Sequence, residues 1–224
     1  MHLKKNRRFG EIRARFYACC VLSALFYLHS QNIVYRDLKP ENVMLTQNGF
    51  IKLIDFGLAI RIQTGKAVST ARCGTPHYIA PEIIEGKPFD CSADYWSFGI
   101  FLYELAVGIT PFNSAASKDD LFEQILSQEI KLPGYLSQDL KSLLGLLLER
   151  DPNKRLCSKQ AIMSHRWFKG VDWEHLEDMQ APRVPKLESP VDLKYSGQDF
   201  EHESCDGIEV TGEDHWEGIS DSDE

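Results

Sequence analysis

The sequence predicts a mainly α-helical body with one small β-hairpin, followed by an acidic tail. Three observations carry this prediction. Apolar residues recur at near-helical spacing over residues 10–30, and residues 92–107 form an apolar run of helix length. The short runs Val43-Met44-Leu45 and Ile51-Lys52-Leu53-Ile54 flank an Asn48-Gly49 turn signal. The charge divides in the same way. Of the formal net charge of −8, residues 201–224 carry ten Asp and Glu and no Lys or Arg, which leaves residues 1–200 at about +2. With 43% hydrophobic and 26% charged residues, the chain of 224 residues is ordinary for a globular domain plus a tail.

In the first predicted helix, Ile12, Phe16, Cys20, Ala24 and Leu28 recur every fourth position, and Val21 and Leu25 widen the stripe. From Val21 to Leu28 the segment is apolar almost all round, so it should be deeply buried. A polar loop over 35–42 leads into the hairpin, whose two base ends are Asn42 and Asp55. Residues 58–82 lack periodicity and read as a long functional loop. Next comes the apolar helix over 92–107. Ser117-Lys118-Asp119-Asp120 matches a capping box that opens a helix to about Gln128. Ser137 and Ser158 are N-cap residues for helices over 138–149 and 159–165. From about Val171 the pattern dissolves into Pro, Ser and acidic residues. The organisation expected is a helical body over 1–170, an extension over 171–200 and a disordered acidic tail over 201–224.

Composition also excludes function classes. The apolar stretch Tyr95 to Gly108 contains Ser97 and Glu104 and is shorter than the roughly 20 residues a membrane span needs. The basic start, Lys4 to Arg8, has no signal-type apolar run behind it and gives no support for nucleic-acid binding. Six cysteines (19, 20, 73, 91, 157 and 205) show no CxxC pair, which favours reduced thiols and a cytoplasmic location over a metal or disulfide framework.

The chemistry concentrates in two segments. Tyr35-Arg36-Asp37-Leu38-Lys39-Pro40-Glu41-Asn42 precedes the hairpin, and Asp55-Phe56-Gly57 follows it. Together they place a carboxylate, an ammonium, an amide and a second carboxylate on neighbouring loops. Phosphoryl transfer needs that set: a base for the attacking hydroxyl, a cation for the moving phosphate, and oxygen ligands for Mg²⁺.

These two segments are followed in order by Gly74-Thr75-Pro76, Ala80-Pro81-Glu82, Asp94, Gly108 to Pro111-Phe112, and Arg150-Asp151-Pro152 with Arg155. The series resembles the large (C-terminal) lobe of eukaryotic protein kinases from about residue 3 to about residue 170. The fold implied is that lobe's helical bundle with a small hairpin at the catalytic loop. The resemblance implies an ATP-dependent, Mg²⁺-requiring kinase in which Asp37 accepts the substrate hydroxyl proton. Lys39 stabilises the transferring phosphate, and its presence resembles Ser/Thr rather than Tyr kinases. Thr75 sits beside Asp37 and Lys39. Asn42 and Asp55 hold Mg²⁺, and Met44 joins them at the nucleotide. Arg36 would dock a phosphorylated activation loop. Glu82 and Arg155 form a buried ion pair, and Asp94 bonds the catalytic-loop backbone.

Tyr35, Cys73-Gly74-Thr75-Pro76 and Ser92-Ala93-Asp94-Tyr95-Trp96-Ser97 are similar to the AGC kinases, the last run most of all to cyclic-GMP-dependent kinases. That likeness implies protein substrates with basic residues upstream of the phospho-acceptor, bound by Glu41 and Glu104. Glu104 in an apolar helix also reads as a satisfied core acid. Arg72, Pro76 and Ile79 would shape the pocket for the residue after the acceptor. Residues 171–200 resemble the start of the AGC C-terminal tail.

The sequence departs from the family in several places. Nothing matches the Gly-rich loop, strand Lys and helix Glu of a small lobe. The implied partners are therefore a small lobe or an upstream regulatory domain, and the alternative is an inactive lobe that docks substrates or regulates another kinase. An exposed apolar patch is expected where a small lobe would dock, with Tyr35 and Phe56 lacking stacking partners. Ala71 stands at the usual activation-loop phosphosite, leaving Thr70 and Ser69 as candidates. Arg72 replaces an apolar residue, and His77 replaces the usual Glu.

Overall fold

The computed structural model describes residues 8–63, 68 and 73–185. The acidic tail, the activation-loop positions Ser69, Thr70, Ala71 and Arg72, and residues 186–200 of the extension lie outside the described residues. Six α-helices are present among the described residues: α1 (Glu11–Ser30), α2 (Pro81–Ile84), α3 (Ser92–Val107), α4 (Lys118–Ser127), α5 (Gln138–Leu147) and α6 (Lys159–Met163). Four short strands form two antiparallel pairs. β1 (Ile33–Val34) pairs with β4 (Ile60–Arg61), and β2 (Val43–Leu45) pairs with β3 (Ile51–Leu53).

The core is built around α3. Trp96, Phe98, Ile100, Phe101, Leu102 and Leu105 are fully buried, so the helix has no solvent face to keep polar. Helices α1 and α5 pack against it. Gly99 permits the close approach of α5: a Cβ there would lie 2.8 Å from Leu148 Cδ2 and 3.1 Å from Leu147 Cβ. Burying each large apolar side chain contributes about 1.5–3 kcal/mol, so the buried residues of α3 contribute heavily to the stability of the body.

The caps act as the sequence indicated. Ser117, Ser137 and Ser158 each accept a backbone N–H at the start of α4, α5 and α6. In α4 the reciprocal half of the capping box shifts by one residue, because Asp120 accepts from Ala116 N (2.7 Å) rather than from the cap residue itself. The stripe of α1 differs from expectation. Ile12 is 86% exposed, and the buried face runs through Ala14, Ala18, Val21, Leu22, Leu25 and Leu28. A strict four-residue step advances about 400° per repeat, so it drifts off a 3.6-residue period and leaves its first member in solvent. The β1–β4 pair and the short turns Pro40–Asn42 and Pro76–Tyr78 interrupt segments that read as loop. No helix among the described residues is long and apolar enough to cross a membrane.

Candidate active site

Asp94, in the first turn of α3, is fully buried, and its two oxygens organise the loop after β1. Oδ2 accepts Tyr35 N and Oδ1 accepts Arg36 N, both at 2.8 Å. The backbone there is tightly turned, with Arg36 at φ +67°, a left-handed value that a non-glycine residue adopts only when its surroundings hold it. Gly74 closes the turn from the other side. Its φ is +106°, and a Cβ on it would stand 2.9 Å from Arg36 O. Asp94 has a further partner at the end of α1. The structure brings His29 Nε2 to 2.8 Å from Asp94 Oδ2, and His29 Nδ1 to 3.2 Å from the Tyr95 hydroxyl.

The held loop presents Asp37, which is buried. Its Oδ1 accepts the Thr75 hydroxyl at 2.8 Å, and its Oδ2 accepts Lys39 Nζ and Asn42 Nδ2, each at 2.8 Å. Lys39 Nζ also donates to Thr75 Oγ1 at 2.9 Å, and Asn42 Nδ2 to Asp37 O at 2.9 Å. Burial pushes the Asp37 carboxyl up. The hydrogen bonds from Lys39 and Thr75, the Lys39 charge and the Asn42 amide outweigh it, so the group lies below its ordinary value and is ionised at neutral pH. Four residues predicted to act together therefore form one hydrogen-bonded cluster.

Asn42 is tied to the hairpin base, since its carbonyl accepts Ile54 N at 3.0 Å. Asp55 follows directly, with φ +60°, an exposed side chain, and Oδ1 accepting Gly57 N at 3.1 Å. The Asn42 amide and the Asp55 carboxylate both carry hard oxygen donors of the kind suited to a divalent cation. Met44 and Ile54 share the exposed face of the hairpin with Lys52, and with Phe56 they form an apolar edge beside Asp55 that is 39–49% exposed. Tyr35 and Phe56 correct one expectation. They are not left without stacking partners but meet each other edge-on at 5.3 Å. Tyr35 is buried and donates its hydroxyl to Ile54 O; burial, then the Asp37 and Asp55 charges, pushes that hydroxyl up.

The remaining candidates are distributed as follows. Thr75 leads into the turn Pro76–Tyr78, where Pro76 is half-buried and Ile79 buried. Tyr78, which sequence reasoning missed, donates its hydroxyl to Glu104 Oε2. Burial pushes the Glu104 carboxyl up; the Tyr78 bond opposes it, and the nearby Glu41 charge adds to it. Glu41 and Glu104 thus lie within electrostatic reach of each other although 63 positions separate them in sequence. Arg36 Nε donates to Leu58 O at 2.5 Å. Glu82 and Arg155 form a bidentate pair at 2.7 and 2.8 Å, both residues buried. Three further carbonyls accept from Arg155: Ser92 O, Glu149 O and Arg150 O.

Comparison with known proteins gives one consistent answer. The family model described as protein kinase domain matches residues 1–168. Protein kinase 2 of Dictyostelium discoideum is 44% identical over 196 residues, covering 86% of this chain and 40% of its own length. The RAC-beta serine/threonine-protein kinase of Homo sapiens is 39% identical over 224 residues, 97% of this chain and 46% of its own length. The serine/threonine-protein kinase sgk-1 of Caenorhabditis elegans is 39% identical over 204 residues, 89% of this chain and 44% of its own length. The chain spans less than half the length of these relatives.

Proposed function

The chain belongs to the protein kinase domain family, and from that premise we propose that it carries the catalytic half of a Ser/Thr protein kinase of AGC type. The observation that supports this most is the ionised Asp37 carboxylate held by Lys39, Thr75 and Asn42 beside the exposed Asp55. A carboxylate has about four acceptor positions, and these three donors leave one for a substrate Ser or Thr hydroxyl. Asp37 accepts that proton as the oxygen attacks phosphorus. Lys39, fixed between Asp37 and Thr75, meets the charge on the transferred phosphoryl group. Asn42 and Asp55 offer the oxygen donors for Mg²⁺, which when bound neutralises charge on the phosphate oxygens. Met44 lies along the apolar edge where the adenine of ATP would rest.

Substrate choice follows from charge. Burial and then the nearby Glu41 charge raise the cost of ionising Glu104, and a basic side chain upstream of the acceptor relieves it. Pro76 and Ile79, with Arg72, would contact the residue after the acceptor. Phosphorylation at Thr70 or Ser69 and docking on Arg36 belong to the same reading. The run Ser92 to Ser97 supports kinship with cyclic-GMP-dependent kinases within the group.

The exposed edge of Met44, Ile54 and Phe56 supports a second element of the proposal: a strand-rich lobe from elsewhere covers this edge and completes the nucleotide cleft. The domain reading is a large lobe over 1–170 with an AGC-type extension over 171–200 and an acidic tail over 201–224. In a test, the chain is mixed with a separately expressed AGC small lobe, and label transfer from ATP to a Ser peptide with upstream arginines is measured. Transfer that needs Mg²⁺ and falls when the arginines become alanines is expected. Transfer indifferent to the arginines would refute the substrate reading. Micromolar binding of Mg-ATP by the chain alone would refute the need for a second wall.

A further inference from the structure

A cavity of about 550 Å³ opens where the C-terminal end of α1, the N-terminus of α3 and the start of α6 meet. Its volume is that of a small-molecule site, which spans about 300–1,000 Å³. Two aromatic rings contribute to its wall, Phe26 and Tyr95, with centroids 6.5 Å apart and planes at 49°. Cys91 and Cys157 line it too. Burial pushes their thiols up to about 12 and about 11, so at neutral pH both are uncharged and act as small apolar surface rather than as nucleophiles.

The charged lining residues are Asp90 and Lys159, and neither has an ion-pair partner among the described residues. Asp90 Oδ1 accepts Ser92 N at 2.7 Å, while Oδ2 has no donor among the described residues. The Lys159 ammonium lies 5.5 Å from the Phe26 ring centre, with no carboxylate to receive it. One acid, one base and an aromatic wall thus surround a single space.

We propose that this cavity is a binding site for a small aromatic zwitterion, its ring packed against Phe26 and Tyr95, its cation on Asp90 and its anion on Lys159. Occupancy reaches the catalytic loop through His29. That residue lines the cavity and shares Asp94 Oδ2 with the Tyr35 amide. The importance of this link rests on the kinase reading; the site itself does not.

The test uses the full chain, isotopically labelled, titrated by NMR with 4-(aminomethyl)benzoate, with benzylamine and benzoate as single-charge probes. Saturable binding in the millimolar range is expected, about what a molecule of this size allows. The zwitterion should bind roughly two- to fivefold tighter than either control, since Asp90 and Lys159 are exposed and each lost ion pair weakens the complex only modestly. Asp90→Asn, which keeps the acceptor for Ser92 N, should abolish the advantage over benzoate. Lys159→Met should abolish the advantage over benzylamine. The Tyr35 and Arg36 amide resonances should move with the same saturation curve. Equal affinity for all three probes, indifference to both substitutions, or absence of saturable binding overturns the site. Binding that leaves the Tyr35 and Arg36 amides unmoved overturns the link. None of these readouts needs phosphoryl transfer, so they are independent of whether the chain is an active kinase.

Discussion

Replacing Arg155 with Met removes one partner of a buried ion pair while keeping much of the side-chain volume. Arg155 and Glu82 are 5% and 1% exposed, and two hydrogen bonds of 2.7 and 2.8 Å join them. The substitution leaves the Glu82 carboxylate buried without its counter-ion, a change that typically costs about 3–5 kcal/mol. It also deprives the Ser92, Glu149 and Arg150 carbonyls of a donor, which pushes the loss toward the upper end of that range. For a body of this size, about 2–4 °C of melting temperature accompanies each kcal/mol, so thermal unfolding followed by circular dichroism should show a fall of roughly 6–20 °C. The double variant Glu82→Leu/Arg155→Met should recover part of the loss, because the isolated charge goes while the three carbonyls stay unpaired. If Arg155→Met melted within about 3 °C of the parent, under about 1 kcal/mol, the pair would not be the structural clamp described.

Other substitutions test the loop and the acidic pair. Gly74→Ala forces a Cβ into a left-handed position 2.9 Å from Arg36 O and should cost about 1–3 kcal/mol, read from urea denaturation midpoints. Glu104 is raised above its unfolded value, so its carboxyl contributes stability below the unfolded pKa of about 4.3 that is lost as pH rises through the folded pKa. Glu104→Gln should therefore melt higher than the parent at pH 7, with the advantage gone near pH 4. The same variant should bind an arginine-rich peptide more weakly, and a peptide affinity left unchanged would count against the Glu41–Glu104 subsite.

The parts of the fold legible in the sequence were those written in local chemistry. Ser117, Ser137 and Ser158 announce three helices because a hydroxyl at an N-cap satisfies an orphan backbone N–H. Asn48-Gly49 announces the hairpin because the turn needs residues tolerant of unusual backbone angles. The β1–β4 pair was not legible, since strands of two residues carry no periodicity. At the site, Asp37, Lys39 and Asn42 sit within six residues, so their spacing alone suggested joint action. His29 and Tyr78 gave no such signal. Each matters through a partner more than 25 positions away, Asp94 for one and Glu104 for the other, and only the packing of α1, α3 and the Pro76–Tyr78 turn brings them together. His29 ends an apolar helix, and there a histidine reads equally well as a packed side chain.

The account turns on Asp37 as the proton acceptor for phosphoryl transfer. Its direct test compares the parent chain with Asp37→Asn, each supplemented with the same small lobe, in transfer of phosphate from ATP to an arginine-containing Ser peptide. Asn keeps the side-chain shape and one accepting oxygen, turns the other acceptor into an NH2 donor, and cannot take the proton. The rate should fall by about 10²–10⁴-fold, with melting temperature and peptide affinity close to those of the parent. An Asp37→Asn variant that transferred phosphate at the parental rate would contradict the assignment.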